Sequence, residues 1–182
     1  SNPLSDLIQN ENYSRSTQVY VNAFADIKLW KGLVFRTEYA ANYNYNTGYR
    51  FTPSYDYEFF KQQSSASRSA GNGSNWTLKT YLTYNGTFGK HNVSVMAGHE
   101  AQENNWESLD GSRTNFLFNS VHELNAGDAT TAKANSSRGS SAIESYFGRL
   151  NYNFADRYLL TATLRADGSS SFAKESRWGW FP

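Results

Sequence analysis

The sequence predicts an all-β chain: an antiparallel up-and-down meander of six strands and the start of a seventh, set in a membrane as part of a β-barrel wall. Three observations carry the prediction. Hydrophobic residues recur at every second position in six stretches. The connections between those stretches alternate short and long, as in outer-membrane barrels. The first two stretches, residues 16–29 and 33–45, exceed the roughly 5–6 residues usual in soluble sheets. A tilted membrane strand needs roughly 9–11 residues, so the excess is expected to stand above the membrane.

In residues 16–29, Val19, Val21, Ala23, Ala25, Ile27 and Leu29 share one side, opposite Gln18, Tyr20, Asn22, Asp26 and Lys28. A tight turn at Trp30-Lys31-Gly32 leads into residues 33–45, where Leu33, Phe35, Thr37, Tyr39, Ala41, Tyr43 and Tyr45 oppose Arg36, Glu38, Asn42 and Asn44. From Asn46 to Gly73 the period is lost in a Ser-, Gly- and Tyr-rich segment, which reads as a long mobile loop. Trp76, Leu78, Thr80, Leu82 and Tyr84 then line a third strand. A turn over 85–91 joins it to a fourth that carries Val93, Val95, Ala97 and Ala101. A second long irregular segment is expected at about Glu107 to Ser141.

The third hairpin has the strongest pattern. Tyr146, Gly148, Leu150, Tyr152 and then Tyr158, Leu160, Ala162, Leu164 form an apolar, aromatic-edged face. Arg149, Asn151, Asn153, Thr161, Thr163, Arg165 and Asp167 form a polar one, and the two faces call for different solvents. Phe35, Tyr84, Tyr152 and Tyr158 gather near the short turns, with Trp30 in the turn itself, as an interfacial aromatic girdle requires.

Composition agrees. Aromatics make up 16% of a chain whose hydrophobic share is only 38%, and most are Tyr and Phe, which suit strands and water–apolar boundaries. With no Cys there is neither a disulfide scaffold nor a thiolate metal site. A net charge of +1 without a basic stripe sets nucleic acid aside as a partner. The mean hydropathy of −0.70 and the lack of a long apolar run describe no membrane helix, but a barrel strand turns only alternate residues to lipid.

The run Arg149-Leu-Asn-Tyr-Asn-Phe-Ala-Asp-Arg157-Tyr-Leu-Leu-Thr-Ala-Thr-Leu-Arg165-Ala-Asp167-Gly168-Ser169-Ser170, followed by Arg177-Trp178-Gly179-Trp180-Phe181-Pro182, resembles the barrel signature of the SusC/RagA family of TonB-dependent outer-membrane transporters from Bacteroidetes-type bacteria. Trp30-Lys31-Gly32-Leu33, Trp76-Thr77 and Val95-Met96-Ala97-Gly98 are similar to the family's preceding hairpins. Ser171 and Ala173 depart from it, standing where Arg and Gly are more usual. The resemblance implies a plugged barrel of about 22 strands in the bacterial outer membrane. It further implies import of glycan oligomers or peptides, drive from the TonB complex through a plug, and a SusD-like surface lipoprotein at the outer mouth. It implies no cofactor and no enzymatic step. Residues 1–182 are then expected to be a fragment, a partial receptor barrel with no plug domain, since the chain does not begin with Met and stops at Phe181-Pro182 inside the motif.

Two residue sets are candidates for function. Arg36, Glu38, Arg149, Arg165 and Asp167 are expected to face the lumen and to knit the inner wall by charge pairing. Asp167-Gly168-Ser169-Ser170 reads as a turn with an Asx-type hydrogen bond. The loop aromatics Tyr49, Phe51, Tyr55, Tyr57, Phe59, Phe60, Trp106, Phe116 and Phe118 are the set able to stack on a ligand, with Tyr55, Tyr57, Trp106 and Phe116 foremost. His99-Glu100 opens like a zinc-protease motif but lacks the second His, and on a strand the two residues point to opposite faces. No catalytic, metal or cofactor-binding residue is assigned.

A soluble β-sandwich also alternates apolar and polar faces, so a soluble all-β carbohydrate-binding module is the alternative. A hydrolase barrel is a third reading, with carboxylates such as Glu38, Glu100, Glu144 or Asp167. Six strands cannot close such a barrel. An isolated piece is expected to pair its sheet edges with another copy, or to fold the sheet over its apolar face.

Overall fold

The computed structural model describes residues 10–57 and 60–182, without the side chains of Tyr57 and Phe60. Among the described residues nine strands appear in chain order: β1 Glu11–Trp30, β2 Leu33–Thr52, β3 Tyr55–Tyr57, β4 Phe60–Gln62, β5 Ser65–Phe88, β6 His91–Thr114, β7 Lys133–Phe154, β8 Tyr158–Ser169 and β9 Trp178–Phe181. Seven of them form one antiparallel meander in the order β1-β2-β5-β6-β7-β8-β9, the expected six strands and the seventh. The small β3–β4 hairpin is a separate two-stranded sheet that the sequence did not reveal.

Three tight turns set the rhythm. Lys31-Gly32 and Gly89-Lys90 each place a glycine at positive φ, 81° and 63°. Trp30 ends β1 rather than lying in the turn, and the turn expected over 85–91 contracts to two residues. The third turn is three residues long, between paired Phe154 and Tyr158, and puts Ala155 and Asp156 at positive φ, 53° and 56°. Asn153 holds it from below: its Oδ1 accepts the Asp156 N–H at 3.0 Å and its Nδ2 donates to Asp156 Oδ1 at 2.7 Å.

The long segments differ most from expectation. The supposed mobile loop from Asn46 to Gly73 is largely strand: β2 runs on to Thr52, the β3–β4 hairpin follows, and β5 starts at Ser65. Likewise β6 continues to Thr114 and β7 begins at Lys133, so only residues 115–132 of the segment 107–141 are irregular. Strand formation in Ser- and Gly-rich sequence depends on the neighbours that complete the ladder, which local propensity does not report. Asp167-Gly168-Ser169 is also strand, not turn. Asp167 pairs with Ser145 on one side and Gly179 on the other, and the chain turns only from Ser170.

The contacts group into two units, residues up to Val19 with 43–73 and 106–139, and residues 20–42 with 74–105 and 140–182. In the first, Tyr49, Phe51, Ala66 and Phe116 are buried together, with Leu124 and Ala126 against them. Fully buried Ser64 anchors the irregular segment: its Oγ accepts the Phe116 N–H at 2.8 Å, and its carbonyl accepts the Asn115 N–H at 3.0 Å. Asn119 grips Ser54 through both backbone groups. Asp128 accepts hydrogen bonds from the Thr130 hydroxyl and amide, which hold its carboxyl below the usual range.

In the second unit Ala166 is the buried hydrophobic residue among those described. The apolar-face side chains lie open instead, with Leu82 at 42%, Leu160 at 55% and Leu164 at 49% exposure. A water-soluble sheet of this length buries one face. Folding the sheet over itself, one of the two expected ways of covering that face, is not seen among the described residues. β1 and β9 are the end strands of the sheet.

Candidate functional site: the polar face of the strands

The alternation that leaves one face apolar brings charged residues from distant strands together on the other. Arg36 of β2 lies 2.6 Å (Nε) from Glu38 Oε1, a charge contact rather than an aligned hydrogen bond, and 3.4 Å (Nη1) from Asp26 Oδ2 of β1. Its guanidinium sits over the Phe24 ring at 4.8 Å. Across in β5, the Tyr81 hydroxyl donates to Glu38 Oε1 at 3.2 Å.

A second cluster centres on Glu100 of β6, whose side chain is 16% exposed. One carboxylate oxygen meets Lys79 Nζ of β5 at 3.0 Å and the other meets Arg165 Nη2 of β8 at 3.2 Å. Arg165 also donates from Nε to Asp167 Oδ1 at 2.7 Å and lies 5.8 Å from the Phe147 ring centroid. Two acids and two bases balance here. Lys79, Glu100 and Arg165 lie tens of positions apart in sequence and stand on three strands, so the cluster ties the sheet together across its ladders. A carboxylate held between two cations with little water is costly to neutralise. In the intact protein, Glu100→Gln is therefore expected to destabilise by about 2 kcal/mol. Asp26→Asn, at a longer and more exposed pair, is expected to cost under about 1 kcal/mol. Thermal unfolding in detergent compares them, and equal losses would remove the central role given to Glu100.

Of the five charges expected on this face, Arg36, Glu38, Arg165 and Asp167 engage in ion pairs. Arg149 is the exception: it makes none among the described residues, and its Nε donates to Asn151 Oδ1 at 3.4 Å. The reason is register. Arg149 stands opposite Thr163, two rungs from the Phe147–Arg165 pair, and its partner on β8 is no acid. Asp26, Lys79, Tyr81 and Glu100 complete the clusters and were not in the expected set, although continuing the alternation through Leu78-Lys79-Thr80-Tyr81 marks two of them as polar-face positions. Together Glu38, Lys79, Tyr81, Phe147, Arg149 and Arg165 line an open depression of about 580 Å³.

The packing is close because glycines sit beneath rings. A Cβ on Gly98 would lie 2.5 Å from Phe147 Cζ and 2.6 Å from Tyr81 Cβ, and one on Gly168 would lie 2.8 Å from the Trp178 indole. Each ring covers a glycine on a neighbouring strand, an arrangement that lends a side chain to a bare backbone position.

On the opposite side, His99 Nε2 lies 3.0 Å from Glu144 Oε1, and the Tyr146 hydroxyl donates to the same oxygen at 2.9 Å. The Tyr146 ring lies between those of His99 and Trp178, with centroids at 4.9 and 5.9 Å. His99 and Glu100 thus serve different sides of β6. This polar group ends the apolar run at its far end from the tight turns.

The aromatic set does not converge. Phe116, expected to face ligand, is 6% exposed and packs edge-on against Phe51 at 5.5 Å; it is core, because the irregular segment folds back onto β2 and β5. Tyr49 and Phe51 are core too. Tyr55 lies on the β3–β4 hairpin, half exposed, while the side chain of Tyr57 and the whole of Phe59 lie outside the described residues. Trp106, 47% exposed, covers Gly139 of β7, whose Cβ would lie 2.7 Å from the indole. Of the expected signature residues, Arg157 closes the third turn, its N–H donating to Phe154 O at 3.0 Å. Ser169 donates its N–H to the Arg177 carbonyl at 3.1 Å, and Ser170 bonds Ala142 through both its amide and its hydroxyl. Phe181, next to Pro182, pairs with Arg165 in the ladder.

No protein-family model matches the chain. Among curated proteins it is similar over its whole length to TonB-dependent receptor P3 of Formosa agariphila, with 29% identity over 182 residues, which cover 18% of that receptor. To TonB-dependent receptor SusC of Bacteroides thetaiotaomicron it is 34% identical over 111 residues, 59% of this chain and 10% of SusC. Among solved structures, the RagAB peptide transporter superposes on 95% of the chain with a TM-score of 0.88 at 22% identity, covering 20% of the transporter chain. The chain thus spans about a fifth of the length of the receptors it matches end to end.

Proposed function

We propose that this chain, a SusC/RagA-like segment of the TonB-dependent receptor type, is barrel wall in an outer-membrane transporter that imports glycan oligomers or peptides. The polar face lines the lumen, where the Glu38 and Glu100 clusters stiffen the wall and present charge to a plug or a passing substrate. The apolar face meets lipid. The segment does no bond chemistry. In the whole receptor a SusD-like lipoprotein covers the outer mouth and the TonB complex supplies energy through the plug.

One observation carries the reading: the apolar run has the height of a membrane. Glu144, with His99 and Tyr146, closes it on one side, and the turn after Phe154 closes it on the other. At about 3.3 Å per residue and a tilt of about 40°, that stretch of β7 rises about 25 Å, the height of an outer-membrane apolar band. Polar His99 and Glu144 then meet the headgroup region, where an ion pair keeps its water, and Tyr146 and Trp178 take the interfacial position suited to amphipathic rings.

The test uses the full-length receptor. Single cysteines at Leu82, Val95 and Leu164 are expected to react with a lipid-soluble maleimide and to resist a membrane-impermeant one in liposomes, whereas cysteines at Thr83 and Thr163 show the reverse. A receptor that stays in water without detergent, or that labels alike on both faces, points instead to the soluble carbohydrate-binding module.

A further inference from the structure

The polar alternation of β2 that carries Arg36 and Glu38 continues through Asn44 to Gly48 and Arg50. There the charge balance changes. A cleft of about 570 Å³ in the first unit is lined by Arg50 of β2, Ser67 and Ser69 of β5, Asp110 of β6, and Lys133 and Asn135 of β7. Gly48 forms part of its floor, where a Cβ would meet Ser69 Oγ at 2.5 Å, so the backbone itself leaves the room. In the Glu38 and Glu100 clusters every cation has an acid within 4 Å. Here Arg50 and Lys133 have none: no ion pair among the described residues engages either of them, or Asp110. Arg68, also in the lining, is already paired with Glu123, so two unpaired bases against one acid leave a surplus positive charge in a cleft lined otherwise by Tyr49, serines, asparagines and small residues.

We propose that this cleft binds the acidic group of an oligosaccharide, with Arg50 and Lys133 holding a ring carboxylate or sulfate while Ser67, Ser69 and Asn135 hydrogen-bond the sugar hydroxyls. The inference rests on the transporter reading and names its substrate class. Guanidinium takes an oxyanion by two parallel hydrogen bonds, and ammonium supplies a second charge from the opposite wall. The lining holds no aliphatic side chain larger than the Ala134 methyl, and its serines and asparagines match the dense hydroxyls of a sugar, on which the Tyr49 ring can also pack. Asp110 works against the anion and sets a limit on affinity.

Binding to the full-length receptor in detergent is measured by calorimetry, with a short oligogalacturonate, a neutral malto-oligosaccharide of equal length and an oligoglutamate as probes. Oligogalacturonate is expected to bind about tenfold or more tightly than the neutral sugar, and to lose that advantage as salt rises. Arg50→Gln with Lys133→Gln is expected to remove the preference for the acidic sugar over the neutral one. Asp110→Asn tightens the acidic sugar several-fold, a gain that misfolding does not produce. Equal binding of acidic and neutral sugars, a preference that survives the double substitution, or tighter binding of oligoglutamate each overturns the assignment. A receptor that integrates into lipid yet shows one of these results loses the subsite and keeps the wall; one that stays in water loses both.

Discussion

Leu150→Arg is expected to cost the intact receptor about 2–4 kcal/mol, the penalty for a cation near the bilayer midplane on the lipid side of a barrel. Leu150 stands about midway between the turn after Phe154 and the Glu144 border, and its ladder partner Ala162 is too small to shield a guanidinium. A side chain there has no route to water shorter than half the apolar band. Thr161→Arg, one strand over and on the polar face, is expected to cost under about 1 kcal/mol, since lumen substitutions keep their hydration. It removes the Thr161 hydrogen bond to Asn151 and nothing larger. Urea titration of folding into lipid vesicles reads both. Near-equal costs for the two arginines would end the membrane reading.

Gly32→Ala is expected to destabilise by about 3 kcal/mol, from two separate causes. Its φ of 81° disfavours any L side chain by about 1–2 kcal/mol. An added Cβ would also collide with the Asn85 carbonyl oxygen, which is backbone and cannot swing aside. Relief needs the first turn to part from β5, which breaks the Asn85 N–H bond to Gly32 O at 2.8 Å. Gly89 isolates the two causes. It has a similar φ of 63° but no atom within 4 Å of its missing Cβ, so Gly89→Ala is expected to lose only the conformational part, about 1–2 kcal/mol. The same urea titration compares them, and equal losses would show that the approach of Asn85 does not matter.

The hairpin rhythm was legible because each strand repeats one simple instruction. Val19 to Leu29, Leu33 to Tyr45 and Tyr146 to Leu164 alternate cleanly, and the tight turns carry glycine or an Asn-held corner. The polar-face charges Arg36, Glu38, Arg165 and Asp167 were legible for the same reason, since parity alone sorts them from the apolar set. Glu100 was harder to see. It follows His99, and the pair reads as a broken metal motif until Lys79 and Arg165 are known to flank it. Arg149 was misread as a paired charge because parity assigns a face but not a rung.

The long segments failed for a deeper reason. Nothing local in Gln63 to Gly73 favours a strand. Its order comes from β2 and β6 on either side, and from Ser64 reaching Phe116, 52 residues away in sequence. Phe116 looked like a ligand platform by composition and turned out to be core for the same cause.

Sequence alone therefore determined the period, the faces and the alternation of turns, all properties of residues within a few positions of one another. Tertiary structure decided where polar strands persist, which charges meet across ladders, and which cations are left without an acid. Those outcomes depend on partners supplied by remote strands, and the hydrogen-bond energy of a ladder is gained only once the neighbour is in place.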